Sequence, residues 1–146
     1  MVVMLQDMHR TLFLERQLPF ENRKAMAFLQ DKDKNLIRVK SLLSAGQVPS
    51  QKRDETIVKC LFRSDLKTSI DKDGCLVVSK INRHTFNRRD LIVVPDNMSY
   101  GLLYSLHQNL LHPTAEQLHR IADTRFFIKD LASKCKTLSS HNPCRN

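Results

Sequence analysis

The sequence has no tryptophan, three glycines and nine aromatic residues among 146. So few turn glycines exclude a large β-barrel or sandwich, which places glycine and aromatic residues at each hairpin or blade. Long hydrophobic runs are also missing. The longest, such as Leu91 to Val94, are strand-sized and far short of the roughly 18 apolar residues that span a bilayer. Met1 to Leu5 is apolar, but Asp7, His9 and Arg10 interrupt it before a signal-peptide core of about 7–15 residues forms. The expectation is an intracellular chain with no membrane partner. The four cysteines, at 60, 75, 135 and 144, are too dispersed for a disulfide framework, which predicts free thiols or a metal site in a reducing compartment.

Charge of one sign is present in excess: 24 Lys and Arg against 15 Asp and Glu, a formal net charge of +9. There is no basic tail, because residues 1–50, 51–100 and 101–146 each carry a net +3. This balance suits a phosphate-rich partner, although charge alone separates neither DNA from RNA nor either from an acidic protein.

Residues 1–33 have weak periodicity and stay unassigned, with flexibility the expectation. From Asn35 to Ala45, Leu36, Ile37, Val39, Leu42 and Leu43 recur near helical spacing, and Gly46 follows where a left-handed cap sits. Pro49 marks a break, and Ile57, Val58, Leu61 and Phe62 predict a second helix over about 53–63. The period then changes. Asp71-Lys72-Asp73-Gly74 is a turn, and Cys75 to Val78 and Leu91 to Val94 read as two short strands of a long-looped hairpin. The basic stretch Lys80 to Arg89 lies between them.

Beyond Pro95, Asp96 or Ser99 can cap a helix that carries Leu102, Leu103, Leu106 and Leu110 on one face, with His107 near its end. Thr114-Ala115-Glu116-Gln117 has the form of a capping box and opens a helix to about Asp123. Ile128, Leu131 and Cys135 share a face of a last short helix, after Phe126 and Phe127. Cys60 and Cys75 lie in apolar runs and read as small core residues, and His119 reads as solvent-facing. The fold class expected is α+β, mainly α: a helical lead-in, a short antiparallel hairpin, then a small three-helix unit.

One constellation carries chemistry. His107 and His112 flank a helix-to-turn junction, and Cys135 follows His112 after 22 intervening residues. Two imidazoles and a thiol are ligands for tetrahedral zinc, which binds them at roughly 2.0–2.3 Å. A region of about 50 residues buries little apolar surface, so a structural metal would contribute folding energy.

The segments Asp73 to Val78, Leu91 to Pro95, Leu106-His107, Leu111-His112-Pro113-Thr114, Arg125-Phe126-Phe127 and Cys135, in that order, resemble the integrase zinc-binding domain of retroelement polyproteins, found in gypsy-like and Pao-like retrotransposons. The resemblance covers 71–138; 34–70 is similar to the helical lead-in of some such polyproteins, and 139–146 is a tail. It implies a His-His-Cys-Cys zinc site. Where the family pattern has Cys-x-x-Cys, this chain has Cys135 followed by Leu138, which leaves Cys144, His141 or water as the fourth ligand. It further implies DNA contact or assembly with other integrase-like subunits, nuclear if the chain acts in integration. Arg83, Arg88 and Arg89 are the candidate nucleic-acid residues. The family's strand-transfer domain follows the zinc domain, and Glu116, Asp123 and Asp130 lack the paired spacing of a two-metal centre, so the expectation is a non-catalytic chain. The competing reading is a metal-free protein-interaction module held by apolar packing.

Overall fold

The structure, a computed structural model, describes residues 22–81, 88–111 and 113–141. It is an α+β fold, mainly α. Helix α1 (Arg23–Gln30) starts where the Asn22 side chain accepts the Ala25 amide at 3.1 Å, and it buries Met26, Ala27 and Gln30. This corrects the expectation of an unassigned, flexible stretch for its described part. Helix α2 (Lys34–Ala45) is capped by Asp33, which accepts the amides of Asn35 and Leu36, and it ends at Gly46 with φ 65°, a backbone conformation that glycine enters without a Cβ clash. Helix α3 is only Thr56–Cys60, shorter than the expected 53–63. The residues before it are taken up by a turn in which Ser50 N–H donates to the Asp54 carboxylate and Asp54 N–H donates to the Ser50 carbonyl.

The sheet has four strands in the order β1 (Lys67–Ile70), β2 (Leu76–Ile81), β3 (Arg88–Val93), β4 (Phe126–Phe127). The expected hairpin is present. β2 and β3 are antiparallel, with Val77 opposite Ile92 and Val78 opposite Leu91. Both strands run further than the apolar runs, so Lys80, Arg88 and Arg89 belong to the ladder and not to a loop. Two strands are additions. β1 pairs antiparallel with β2, which corrects the all-helical lead-in expected over 34–70, and β4 pairs in parallel with β3.

Period-2 alternation divides the core between the two sheet faces. Cys75, Val77, Ile92, Val94 and Phe126 meet Met26 and Ala27 of α1 together with α4 (Ser99–Asn109), α5 (Ala115–Ala122) and α6 (Leu131–His141). Leu76, Val78, Val93 and Phe127 meet α2 and α3 through Leu36, Val39, Leu42, Val58 and Leu61. Gln30 joins the two. Fully buried, its amide accepts the Leu76 N–H at 2.7 Å and donates to the carbonyls of Leu76 and Val93 at 3.1 and 2.7 Å. These are the backbone groups just beyond the last β2–β3 rung, and leaving them unpaired in the interior would be costly.

Candidate metal centre and basic hairpin

A 3₁₀ turn, Asp96–Met98, leads into α4. Neither Asp96 nor Ser99 caps the helix by its side chain as expected; the Ser99 hydroxyl instead donates to the Asp96 carbonyl at 2.6 Å. Ser99 is buried and also contacts the ammonium of Lys134 at 2.8 Å, and Lys134 pairs with the Asp96 carboxylate. This contact ties the start of α4 to the start of α6. On the inner face of α4, Leu102, Leu103, Leu106 and His107 follow helical spacing into the core.

Of the four candidate metal ligands, the structure describes two. His107 is 3% exposed and Cys135 is 1% exposed, on helices that pack against each other. His112 and Cys144 lie outside the described residues. Burial pushes the Cys135 thiol up to about 11, because it strips water from around a thiolate. His107 and Cys135 sit on two helices that pack against each other. Lys134, next to Cys135, touches the first residue of α4, whereas His107 lies eight residues on, about 12 Å by helical rise. No group of three or more His, Cys, Asp or Glu suited to a metal occurs among the described residues. The donor chemistry nevertheless fits zinc: a buried imidazole and a buried thiol, with α5 opening directly after His112-Pro113.

That opening is well determined. The Thr114 hydroxyl accepts the Gln117 amide at 3.2 Å, and the Gln117 carboxamide accepts the Thr114 amide at 3.0 Å. The preceding residue in the turn, Leu111, is exposed and has φ 60°, a conformation that costs a leucine roughly 1–2 kcal/mol. Two buried polar atoms on α4 and α6 are unmet. Asn109 Nδ2, two residues after His107, and Ser139 Oγ, four after Cys135, have no hydrogen-bond partner. Sequence reasoning missed both; only Ser139, four residues after Cys135, stands at helical spacing from a ligand candidate.

Of the candidate nucleic-acid residues, Arg88 and Arg89 lie on β3 at its end away from α1. Arg83 lies outside the described residues. The backbone register places Arg89 directly opposite Lys80 and Arg88 opposite Ile81. The Lys80 ammonium lies 3.9 Å from the Asp123 carboxylate and 5.6 Å from the centre of the Phe127 ring. Cys75 is fully buried, as expected, with its thiol pushed up to about 11 by burial and by the Asp71 carboxylate; Cys60 is half-buried, not core, and His119 is half-buried rather than solvent-facing.

No helix among the described residues is long and apolar enough to cross a membrane. No family model, curated protein or solved structure matches this chain.

Proposed function

We propose that this chain is an integrase-type zinc-binding module without catalytic function, whose metal is structural and whose basic hairpin contacts DNA. The observation that carries the reading is the inward burial of both described ligand candidates, His107 and Cys135, on two helices packed together behind an antiparallel hairpin. His112, which falls in sequence between α4 and α5, and Cys144, which follows α6, would complete the donor set. Zinc bound there supplies folding energy to a helical unit whose own polar groups Asn109 and Ser139 are unmet. Lys80, Arg88 and Arg89, massed on the two outermost β2–β3 rungs, supply phosphate contacts that fix position without reading sequence. Assembly with further integrase-like subunits is the second role that the resemblance carries.

A metal-free interaction module is favoured by one observation: Cys135 lies within an apolar cluster with Leu102, Leu106 and Leu131, where a neutral thiol packs well. Metal analysis of the purified full chain separates the two. The zinc reading expects one zinc per chain, lost in Cys135→Ser and His112→Ala, and bound more tightly in Leu138→Cys. A folded chain with no zinc, unchanged by chelator, would establish the metal-free module.

A further inference from the structure

We propose a second nucleic-acid contact, on the outer face of α1, where Phe28 serves as a stacking platform for a base of a single strand and Lys24 and Lys32 hold the flanking phosphates. Phe28 is 61% exposed, the most exposed aromatic side chain among the described residues. Lys24 precedes it by four residues, on the same helical face. The ammonium of Lys32 lies 4.3 Å from the ring centroid. This aromatic side chain is therefore bracketed by two exposed lysines, Lys24 in the first turn of α1 and Lys32 in the turn that follows the helix.

Three neighbouring acids are engaged: Asp31 holds Lys40 at 2.7 Å, Asp71 holds Arg23 at 3.0 Å, and the Asp33 carboxylate accepts the amides that open α2. Lys24, Lys32 and Lys72 have no acidic partner among the described residues. Lys72 follows Asp71 in a turn held to α1 by the Arg23 ion pair and by the approach of Gly74 to Ala27, where an added Cβ would sit 3.9 Å from the Ala27 methyl. The surface thus offers an aromatic face and unneutralised cations, the combination that binds single strands with little sequence preference. A duplex keeps its bases stacked and cannot use the ring. Moving Lys32 from the ring to a phosphate gives up only a weak exposed cation–π contact.

This site is separate from the hairpin. Gln30 fixes the end of α1 to Leu76 and Val93, and the Arg88–Ile81 rung lies five residues along β2, about 17 Å away. The proposal extends DNA contact to a second surface and needs neither the metal nor the hairpin arginines.

Because the chain has no tryptophan, Phe28→Trp makes a single-site fluorescent reporter in the full-length protein. Titration with oligo-dT and, separately, oligo-U is expected to quench its emission, with quenching reversed by salt; response to either probe supports the contact, and which one binds tighter identifies the source. Phe28→Ala should weaken single-strand binding about 5- to 100-fold while leaving duplex binding in place. Lys24→Gln with Lys32→Gln should reduce the single-strand salt slope by roughly 1.4, at about 0.7 per phosphate lost. Arg88→Gln with Arg89→Gln should do the reverse, depressing duplex binding and sparing the quench. Absence of quenching with both probes at low salt, or single-strand affinity unchanged in Phe28→Ala, would overturn the proposal whatever the duplex result.

Discussion

The two faces of the sheet are built to different standards. On the side of α2 and α3, local rules agree: Asp33 caps α2, Gly46 ends it, Asn35 donates to Glu55 and Arg38 pairs with Asp54 at 3.0 Å. The carboxyl groups of Asp54 and Glu55 are held below their ordinary range by those hydrogen bonds. The α4–α6 side accumulates costs. Among the described residues, both non-glycine positions with positive φ, Leu111 and Asp130, flank its helices. All three buried side-chain polar atoms without partners, Ser79 Oγ, Asn109 Nδ2 and Ser139 Oγ, belong to its helices or to the sheet positions facing it. A fold tolerates local conflict where something beyond its own packing compensates, which is why that side is where we propose the metal.

The sharpest way to break this contrast is a matched pair of core deletions. Leu42→Ala, on the α2–α3 side, is expected to cost about 2–5 kcal/mol in urea unfolding, the same with and without chelator. Leu103→Ala, on the other side, should cost a similar amount in zinc but split the chelated protein's transition in two. Equal chelator sensitivity of both variants would remove the distinction.

A smaller effect tests the sheet end that both sides share. Asp71 is partly buried, which alone would raise its carboxyl, but the amides of Cys75 and Asp73 and the guanidinium of Arg23 outweigh this and hold it below the ordinary range. Its folded value lies below its unfolded one, so its stabilisation is fully present above about pH 4 and is lost as pH falls through the folded value. Asp71→Ala should cost about 1–3 kcal/mol at neutral pH and flatten the acid limb of the stability profile. An acid limb of unchanged steepness would assign it to other carboxylates.

The smallest expected effect has the opposite sign. Leu111→Gly relieves a left-handed leucine that is exposed and makes no core contact, so it should stabilise the chain by about 0.5–1 kcal/mol after the entropy of the added glycine is counted. Destabilisation would mean that the Leu111 side chain, or the rigidity of the turn before His112, supports the site directly.

These contrasts explain which parts of the structure could be read in the sequence. α2, the β2–β3 hairpin and α5 carry local signals: a helical stripe ending at Gly46, β-branched runs and the Thr114–Gln117 box. β1 was hidden, because Lys67-Thr68-Ser69-Ile70 has no apolar alternation and becomes a strand only by pairing with β2. β4 is two residues long, and its pairing with β3 spans over thirty residues of sequence, a contact no window detects. α1 was obscured because its deepest polar residue, Gln30, is buried for its hydrogen bonds to distant strands. The helices that carry His107 and Cys135 were legible from apolar spacing. The unmet atoms of Asn109 and Ser139 depend on tertiary packing that has no signature in the chain.

Hydrogen exchange read by mass spectrometry, on the full chain with zinc and again with chelator, tests the central claim most directly. A structural metal on the α4–α6 side predicts that chelation collapses amide protection across residues 99–141 and leaves the amides of Leu36 to Val78 protected. Identical exchange in the two states, with 99–141 protected throughout, would contradict it.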